Sequence, residues 1–354
     1  MSLTALPADE VIRRWAEFNT IIDARSEGEF DEDHLPGAVN WPTLNNEERI
    51  RVGTTYKQVN AFEAKKMGAA IAARNISHHI EREVMDKPKD WKPLTYCWRG
   101  GKRSGSLSLV LDQIGFRVTL VEGGYKAFRA ALVNDIPRLA ALFDWRVVCG
   151  TTGSGKTRLL QAVAAAGGQV LDLEALANHR SSVLGAIPGL PQPTQKRFDT
   201  LIWDRLRGFD PSRPVFVESE SKKVGNVAVP AALMEAMRAG TCLNLVLSDA
   251  ERVQLLMEDY SFFVQDHEFF CERLDALKEI RGKLVVDGWK ASVRSGDIQH
   301  VVQDLLTLHY DPVYVQSMQR NFQRFADARE LQPGNRTEAA FSQVAQDLVR
   351  ELTT

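Results

Sequence analysis

Leu94-Thr95-Tyr96-Cys97-Trp98-Arg99-Gly100-Gly101-Lys102-Arg103-Ser104 is the stretch that decides how the first half of this chain folds. Leu94 to Tyr96 has strand character and delivers Cys97 into a loop with three cations and two adjacent glycines. The small and apolar run Ser104 to Leu111 then reads as a helix. Strand, loop and helix in that order aim successive backbone N–H groups and a helix N-terminus at the thiol. A free cysteine titrates near ~8.5, and such surroundings favour the thiolate at neutral pH.

Working outward, Pro7 to Phe18 has helical spacing, and Thr20 to Asp23 reads as a short buried strand. Thr55 to Arg82 is alanine-rich and charged, with apolar positions every three or four residues, so one long amphipathic helix is expected. Arg117 to Val121 is β-rich and precedes Gly123-Gly124-Tyr125, with a helix from Lys126 to about Leu132. Strands alternating with helices imply a parallel sheet, and ligands then sit at the carboxyl ends of strands, where Cys97 falls.

Asp23-Ala24-Arg25, His34-Leu35-Pro36-Gly37-Ala38, the Cys97 loop and Gly123-Gly124-Tyr125 together resemble a rhodanese domain over roughly residues 8 to 136. The resemblance implies a cysteine that carries sulfur or selenium after attacking an activated donor. Asp23 and Arg25 are expected as an ion pair holding the loops, and His34 as structural. One departure stands out: Arg103 lies six positions after Cys97, where common sulfur-transfer rhodaneses place arginine at the fifth. The resulting C-x5-R spacing also belongs to cysteine-dependent phosphatases. The loop therefore fits a phosphate ester or a phosphate-like chalcogen donor, and its own residues do not separate them.

In the second half, the strand Asp144 to Cys149 runs into Gly150-Thr151-Thr152-Gly153-Ser154-Gly155-Lys156-Thr157 and a helical run from Arg158. This is a complete P-loop in its strand–loop–helix setting. Its N–H groups would cradle a diphosphate, Lys156 would neutralise it, and Thr157 could hold Mg²⁺. Gln169 to Leu173 is a second strand, with Asp172 and Glu174 near its end. Pro214 to Glu218 is an apolar run ending in a carboxylate suited to Mg²⁺ or water, and Ser219, Ser221, Lys222 and Lys223 follow in a polar loop. No N/T-K-x-D guanine-reading motif is present. From Ala250 the chain is mostly helical, with basic and acidic residues alternating: a solvated surface or a contact surface for nucleic-acid phosphates.

The fold class is α/β: a rhodanese-like parallel-sheet domain (1–138), a P-loop doubly wound α/β domain (139–250) and a mainly helical C-terminal region (251–354). The 354 residues carry 44% hydrophobic and 25% charged residues and a net charge of −2, so no global basic field announces nucleic acid. Four scattered cysteines form neither zinc spacing nor a disulfide framework. No apolar run approaches the ~20 residues of a membrane span, and Met1 to Asp9 lacks a signal pattern. A cytoplasmic, monomeric protein is expected, with no membrane association.

The pairing of the two domains, with Asp172 to Arg180 (including Glu174 and His179), Pro191-Gln192-Pro193, Gln195-Lys196-Arg197-Phe198 and Glu218-Ser219-Glu220-Ser221-Lys222-Lys223, resembles the tRNA 2-selenouridine synthase family. That resemblance implies a transferase acting on the anticodon arm of tRNA carrying 2-thiouridine at the wobble position. Geranyl diphosphate would alkylate the sulfur, and selenophosphate would then supply selenium. A selenophosphate-producing enzyme is an implied partner, and no tightly bound cofactor is expected, with Mg²⁺ as an accessory ion. Cys97 would take part in selenium delivery, as a perselenide or by orienting selenophosphate, and Trp98, Arg99, Gly100, Gly101, Lys102, Arg103 and Ser104 would form the donor loop, its cations offsetting charge. Asp172, Glu174, His179, Arg180, Lys196, Arg197, Glu218, Ser219, Ser221, Lys222 and Lys223 are further candidates for substrate contact or support. Phe198, Trp203 and Phe216 could line a geranyl pocket or belong to the core. Rival readings are a kinase or phosphatase fusion and a nucleotide-dependent switch.

Overall fold

A computed structural model describes residues 3–181 and 184–351. By contacts the chain divides into two units: residues 1–135 with 193–204, and residues 136–192 with 205–354.

The first unit is built on a five-stranded sheet of β1 (Thr4–Leu6), β2 (Thr20–Asp23), β3 (Ala38–Asn40), β4 (Pro93–Tyr96) and β5 (Thr119–Val121). The order is β1-β5-β4-β2-β3 and every pairing is parallel. β4 is buried along its whole length, as a strand covered on both faces must be. Ile22, Leu107, Leu111, Trp91 and Val118 pack with Cys97 into one core. In place of one long helix, Asn46–Gln58 and Ala61–Glu83 are separate helices. The Asn60 side chain accepts a hydrogen bond from the Glu63 N–H at 2.8 Å and starts a new helix there.

The second unit holds β6 (Trp145–Cys149), β7 (Gln169–Leu171), β8 (Val215–Glu218), β9 (Lys223–Val224), β10 (Val227–Ala228), β11 (Thr241–Leu245) and β12 (Arg329–Leu331). Its main sheet runs β12-β11-β6-β8-β7, all parallel, and β9 and β10 form a small antiparallel hairpin. Residues 251–354 belong to this unit. β12 extends the sheet beside β11, and the helix Glu338–Glu351 sets Phe341, Ala345 and Leu348 against Leu159, Leu160 and Val163 of the helix after the P-loop. The helices between Ser261 and Tyr310 enclose a separate core of Phe263, Phe270, Leu274, Trp289, Val293 and Val301. No helix among the described residues is long and apolar enough to cross a membrane.

Candidate active sites

In the first unit, β4 ends at Tyr96 and presents Cys97, which is 3% exposed. The loop turns at Gly100 and the helix Lys102–Ile114 begins after Gly101. Ser104, in that helix's first turn, donates its hydroxyl to Cys97 Sγ at 3.1 Å. The loop is shaped by the turn after β5: Tyr125 N–H donates to Cys97 O at 2.8 Å and Lys126 N–H to Trp98 O at 3.1 Å. Gly124 has φ +59°, and a Cβ there would lie 2.2 Å from Cys97 O, so only glycine permits this approach. Trp98 stacks on Tyr125, with ring centroids 5.4 Å apart.

The charges of this unit are largely matched. Arg25 and Asp23 form a buried pair, with Arg25 Nη2 2.6 Å from Asp23 Oδ2, and the same nitrogen donates to Asp33 O. Arg103 forks onto Glu29 at 2.6 and 3.2 Å. Burial works to raise the Glu29 carboxyl, but the Arg103 hydrogen bonds and charge outweigh it and hold Glu29 below its ordinary value. Arg99 and Lys102 are exposed and have no side-chain partner among the described residues, so they are the loop cations left for an anion. His34 bonds Phe30 O through Nδ1 at 2.9 Å and stacks on the Phe30 ring, which is a structural placement. Lys196 pairs with Glu32 and lies 5.9 Å from the Trp98 ring centroid, while Arg197 donates to His34 O. Phe198 and Trp203 are fully buried in the core.

In the second unit, the central strand β6 feeds the P-loop, and the helix Lys156–Ala165 follows. Gly153 and Gly155 have φ of +76° and +88°, and a Cβ on Gly155 would strike the Phe341 ring at 2.4 Å. Ser154 is buried and its hydroxyl lacks a hydrogen-bond partner. Lys156 Nζ folds back onto Gly150 O and Thr151 O, and sits 4.9 Å from the Tyr314 ring centroid. Arg252 is buried; it donates to Thr152 O at 3.0 and 2.8 Å and forks onto Asp311, tying the loop to the helix Asp311–Asn321. Thr152, Gly153, Gly155, Lys156 and Thr157 line a cleft of about 560 Å³, together with Arg158, Glu174, Arg180, Glu218 and His309. A neighbouring apolar pocket, lined by Phe263, Phe270, Ile298, Val302, Leu305 and Leu306, shares Thr152, Leu256, Tyr260 and Tyr310 with the cleft.

Strand exits bring acidic groups to the P-loop. Asp172 caps the helix Leu173–Ala177 by accepting from Ala175 N–H at 2.8 Å, which places Glu174 in its first turn. Thr157 Oγ1 is 3.4 Å from Glu174 Oε2. Glu218 ends β8, and the hydroxyl of Ser181 donates to Glu220. Burial, then the neighbouring Glu220, pushes the Glu174 carboxyl up to about 8 against the pull of Lys156. Burial first and Glu174 second push Glu218 far above the ordinary range. His309 sits in the π-helical turn Leu305–Tyr310 and accepts from Arg281 Nε through Nδ1 at 2.9 Å. That contact leaves the proton on Nε2.

The rhodanese-like domain family matches residues 7–131, and the family described as the tRNA 2-selenouridine synthase AAA domain matches residues 143–285. The tRNA 2-selenouridine synthase of Nitrosomonas europaea is 32% identical over 347 residues, covering 85% of this chain and 89% of that protein. That of Nitrosomonas eutropha is 32% identical over 360 residues, with 89% and 92% covered. The chain belongs to the tRNA 2-selenouridine synthase family. The Alcanivorax borkumensis tRNA 2-selenouridine synthase is a further similar protein, 32% identical over 287 residues, with 79% of this chain and 77% of that protein covered.

In this member of the tRNA 2-selenouridine synthase family, the P-loop cleft gathers Lys156, Thr157, Glu174, Arg180 and Glu218. Other candidates lie apart from it in role. Ser221, Lys222 and Lys223 are exposed, and the Ser221 hydroxyl is turned onto Lys223 O at 2.6 Å. His179 is 8% exposed, with Nδ1 unpartnered, and forms an isolated bridge with Ala186. Ser219 is buried beside Glu218. Phe216 belongs to the sheet core rather than to either pocket. Glu220, Arg252, His309 and Tyr314 were not singled out as site residues from the sequence. For Glu220 a signal existed, an acidic residue two positions after a strand-ending carboxylate. Arg252 and His309 have none, since the Thr152, Asp311 and Arg281 contacts that place them are distant along the chain.

Proposed function

We propose that this chain makes 2-selenouridine in tRNA by two reactions, S-geranylation of 2-thiouridine with geranyl diphosphate and then replacement of the S-geranyl group by selenium from selenophosphate. The observation that carries the reading is the join between the P-loop cleft and an apolar pocket within the second unit. An allylic diphosphate has those two ends. Its diphosphate would take the P-loop N–H groups, Lys156 and Arg158, and its chain would lie among Phe263, Phe270, Leu305 and Leu306.

In the first reaction the thiouridine sulfur attacks the allylic carbon, the carbon–oxygen bond breaks, diphosphate leaves, and the base loses its N3 proton. Lys156 offsets charge on the leaving oxygen as it develops. In the second, the selenium of selenophosphate adds at carbon 2 of the base and the carbon–sulfur bond breaks, geranyl thiol leaving with the selenol proton; water then cleaves the selenium–phosphorus bond, phosphate departs, and the base regains its N3 proton. Cys97 takes part in selenium delivery, and Arg99 and Lys102 meet the anionic donor. Mg²⁺ held at Thr157 would neutralise the diphosphate further.

The test is mass spectrometry of nucleosides from 2-thiouridine tRNA incubated with each variant. Lys156→Ala is expected to lose geranylation by about 100-fold or more, the scale of removing a charge-stabilising donor. Cys97→Ala should keep geranylation and lose selenation. Geranylation by Lys156→Ala at the parent rate would sink the assignment of the P-loop cleft.

A further inference from the structure

His309 is a buried histidine that neither reaction described above employs. It is 7% exposed, yet it lines the P-loop cleft with Lys156, Thr157 and Arg158. One guanidinium pins it at two points: Arg281 Nε donates to His309 Nδ1 at 2.9 Å, and Arg281 Nη2 donates to His309 O at 3.2 Å. A guanidinium can only donate, so Nδ1 is the acceptor and the ring hydrogen is fixed on Nε2. Burial first, and then the Arg281 charge, hold the imidazole below its ordinary value, so it is neutral at pH 7. No described residue accepts from Nε2, although buried polar groups are as a rule partnered.

The backbone is unusual at the same place. His309 lies in the π-helical turn Leu305–Tyr310, and such turns are rare and recur at functional sites. The cationic side chains of the cleft are meanwhile engaged with the protein: Lys156 on Gly150 O and Thr151 O, Arg158 on Arg336 O, Glu258 and Asp259, and Arg180 on Asp259 O. His309 thus offers the cleft an N–H that the protein holds in place without using.

We propose that His309 Nε2–H donates a hydrogen bond to a diphosphate oxygen of the substrate bound at the P-loop. Diphosphate oxygens only accept, and the other imidazole tautomer would turn a lone pair toward them; the Arg281 contact excludes that tautomer. A hydrogen bond to an ionised acceptor is stronger than a neutral one, and a donor fixed before the ligand arrives costs no reorganisation as charge grows on the leaving diphosphate. No proton is transferred in this role. The inference rests on the P-loop cleft being the diphosphate site, and it adds to that site a side chain from the helical part of the unit.

The experiment titrates inorganic diphosphate into the full chain by calorimetry, in buffer containing Mg²⁺, alongside thermal melting. His309→Asn keeps an acceptor for Arg281 at the Nδ1 position and lacks the Nε2 donor. Its melting temperature should stay near that of the parent while its affinity for diphosphate falls about tenfold or more, the scale of one hydrogen bond to a charged group. His309→Gln carries an amide N–H near the Nε2 position, so it should bind more tightly than His309→Asn even though it gives up the Arg281 contact. A histidine that only held the helices together would give the reverse order. That reverse order, parent-like binding by His309→Asn, or equal loss in both variants overturns the proposal. Lys156→Ala separates it from the reading beneath it: weak binding by Lys156→Ala with parent-like binding by His309→Asn removes the histidine and keeps the diphosphate cleft. A parent that binds no diphosphate overturns both.

Discussion

The Cys97 unit and the P-loop unit treat buried charge in opposite ways. Around Cys97 the buried and half-buried charged groups are paired within the unit: Arg25 with Asp23 and Arg103 with Glu29. Beside the P-loop, Glu174, Glu218 and Glu220 crowd together, and both Glu218 oxygens are left without donors. The first arrangement holds a loop in shape around one sulfur. The second crowds carboxyl groups in a buried place, and burial with their mutual repulsion pushes Glu174 and Glu218 up.

Substitutions can break this contrast. The largest stability effect is expected from Arg25→Ala, because both members of the pair are buried and Asp23 would lose its partner. Loss of about 3–5 kcal/mol is expected, read by urea unfolding. A value under 1 kcal/mol would mean that the pairing does not hold the Cys97 unit together. Gly124→Ala comes next, at about 2–4 kcal/mol, from the left-handed backbone cost and the clash with Cys97 O. Selenation should suffer more than geranylation in that variant, and equal losses in both would contradict a local effect on the Cys97 loop.

A smaller change is expected from Glu29→Gln, about 1–2 kcal/mol at pH 7, as a charged hydrogen bond becomes a neutral one. Its pH signature has a definite sign. Glu29 has a folded pKa below its unfolded one, so its contribution is full above the unfolded value of about 4.3 and is lost as pH falls through the folded value. Parent and Glu29→Gln stabilities should therefore converge in acid; a gap that stays constant down to pH 3 would rule this out. The smallest effect, and one of opposite tendency, is that of Glu218→Gln, which removes a carboxyl group crowded against Glu174 and Glu220. No loss of stability or a slight gain is expected by thermal melting, whereas a loss comparable with Arg25→Ala would erase the contrast between the units.

Both sites were legible in part because their key residues are neighbours in sequence. Cys97 to Ser104 and Gly150 to Thr157 each carry the strand exit, the turn glycines and the first helical turn within about ten residues, so local backbone geometry follows from local composition. The Asp23–Arg25 pair, expected from the rhodanese resemblance, is also local, its members two residues apart. The fate of Arg103 was not: its partner Glu29 lies 74 residues away, and the same guanidinium could equally have faced an anion. The break between Gln58 and Ala61 was missed because apolar spacing continues through it, while the Asn60 cap is a single side-chain contact. β1 and β12 escaped notice as three-residue strands, too short for any alternation to register.

Composition and motif order were enough to establish two α/β units, a cysteine at one strand exit and a P-loop at another, because each depends on contacts spanning a few residues. Tertiary structure alone decided which charges are cancelled and which remain. It paired Arg103 with Glu29, tied Thr152 to Arg252 across 100 residues, gathered Glu174, Glu218 and Glu220, and set an apolar pocket beside the P-loop cleft. These are sums over residues far apart in the chain. Electrostatic balance and cavity shape depend on distance in space, which no local pattern encodes.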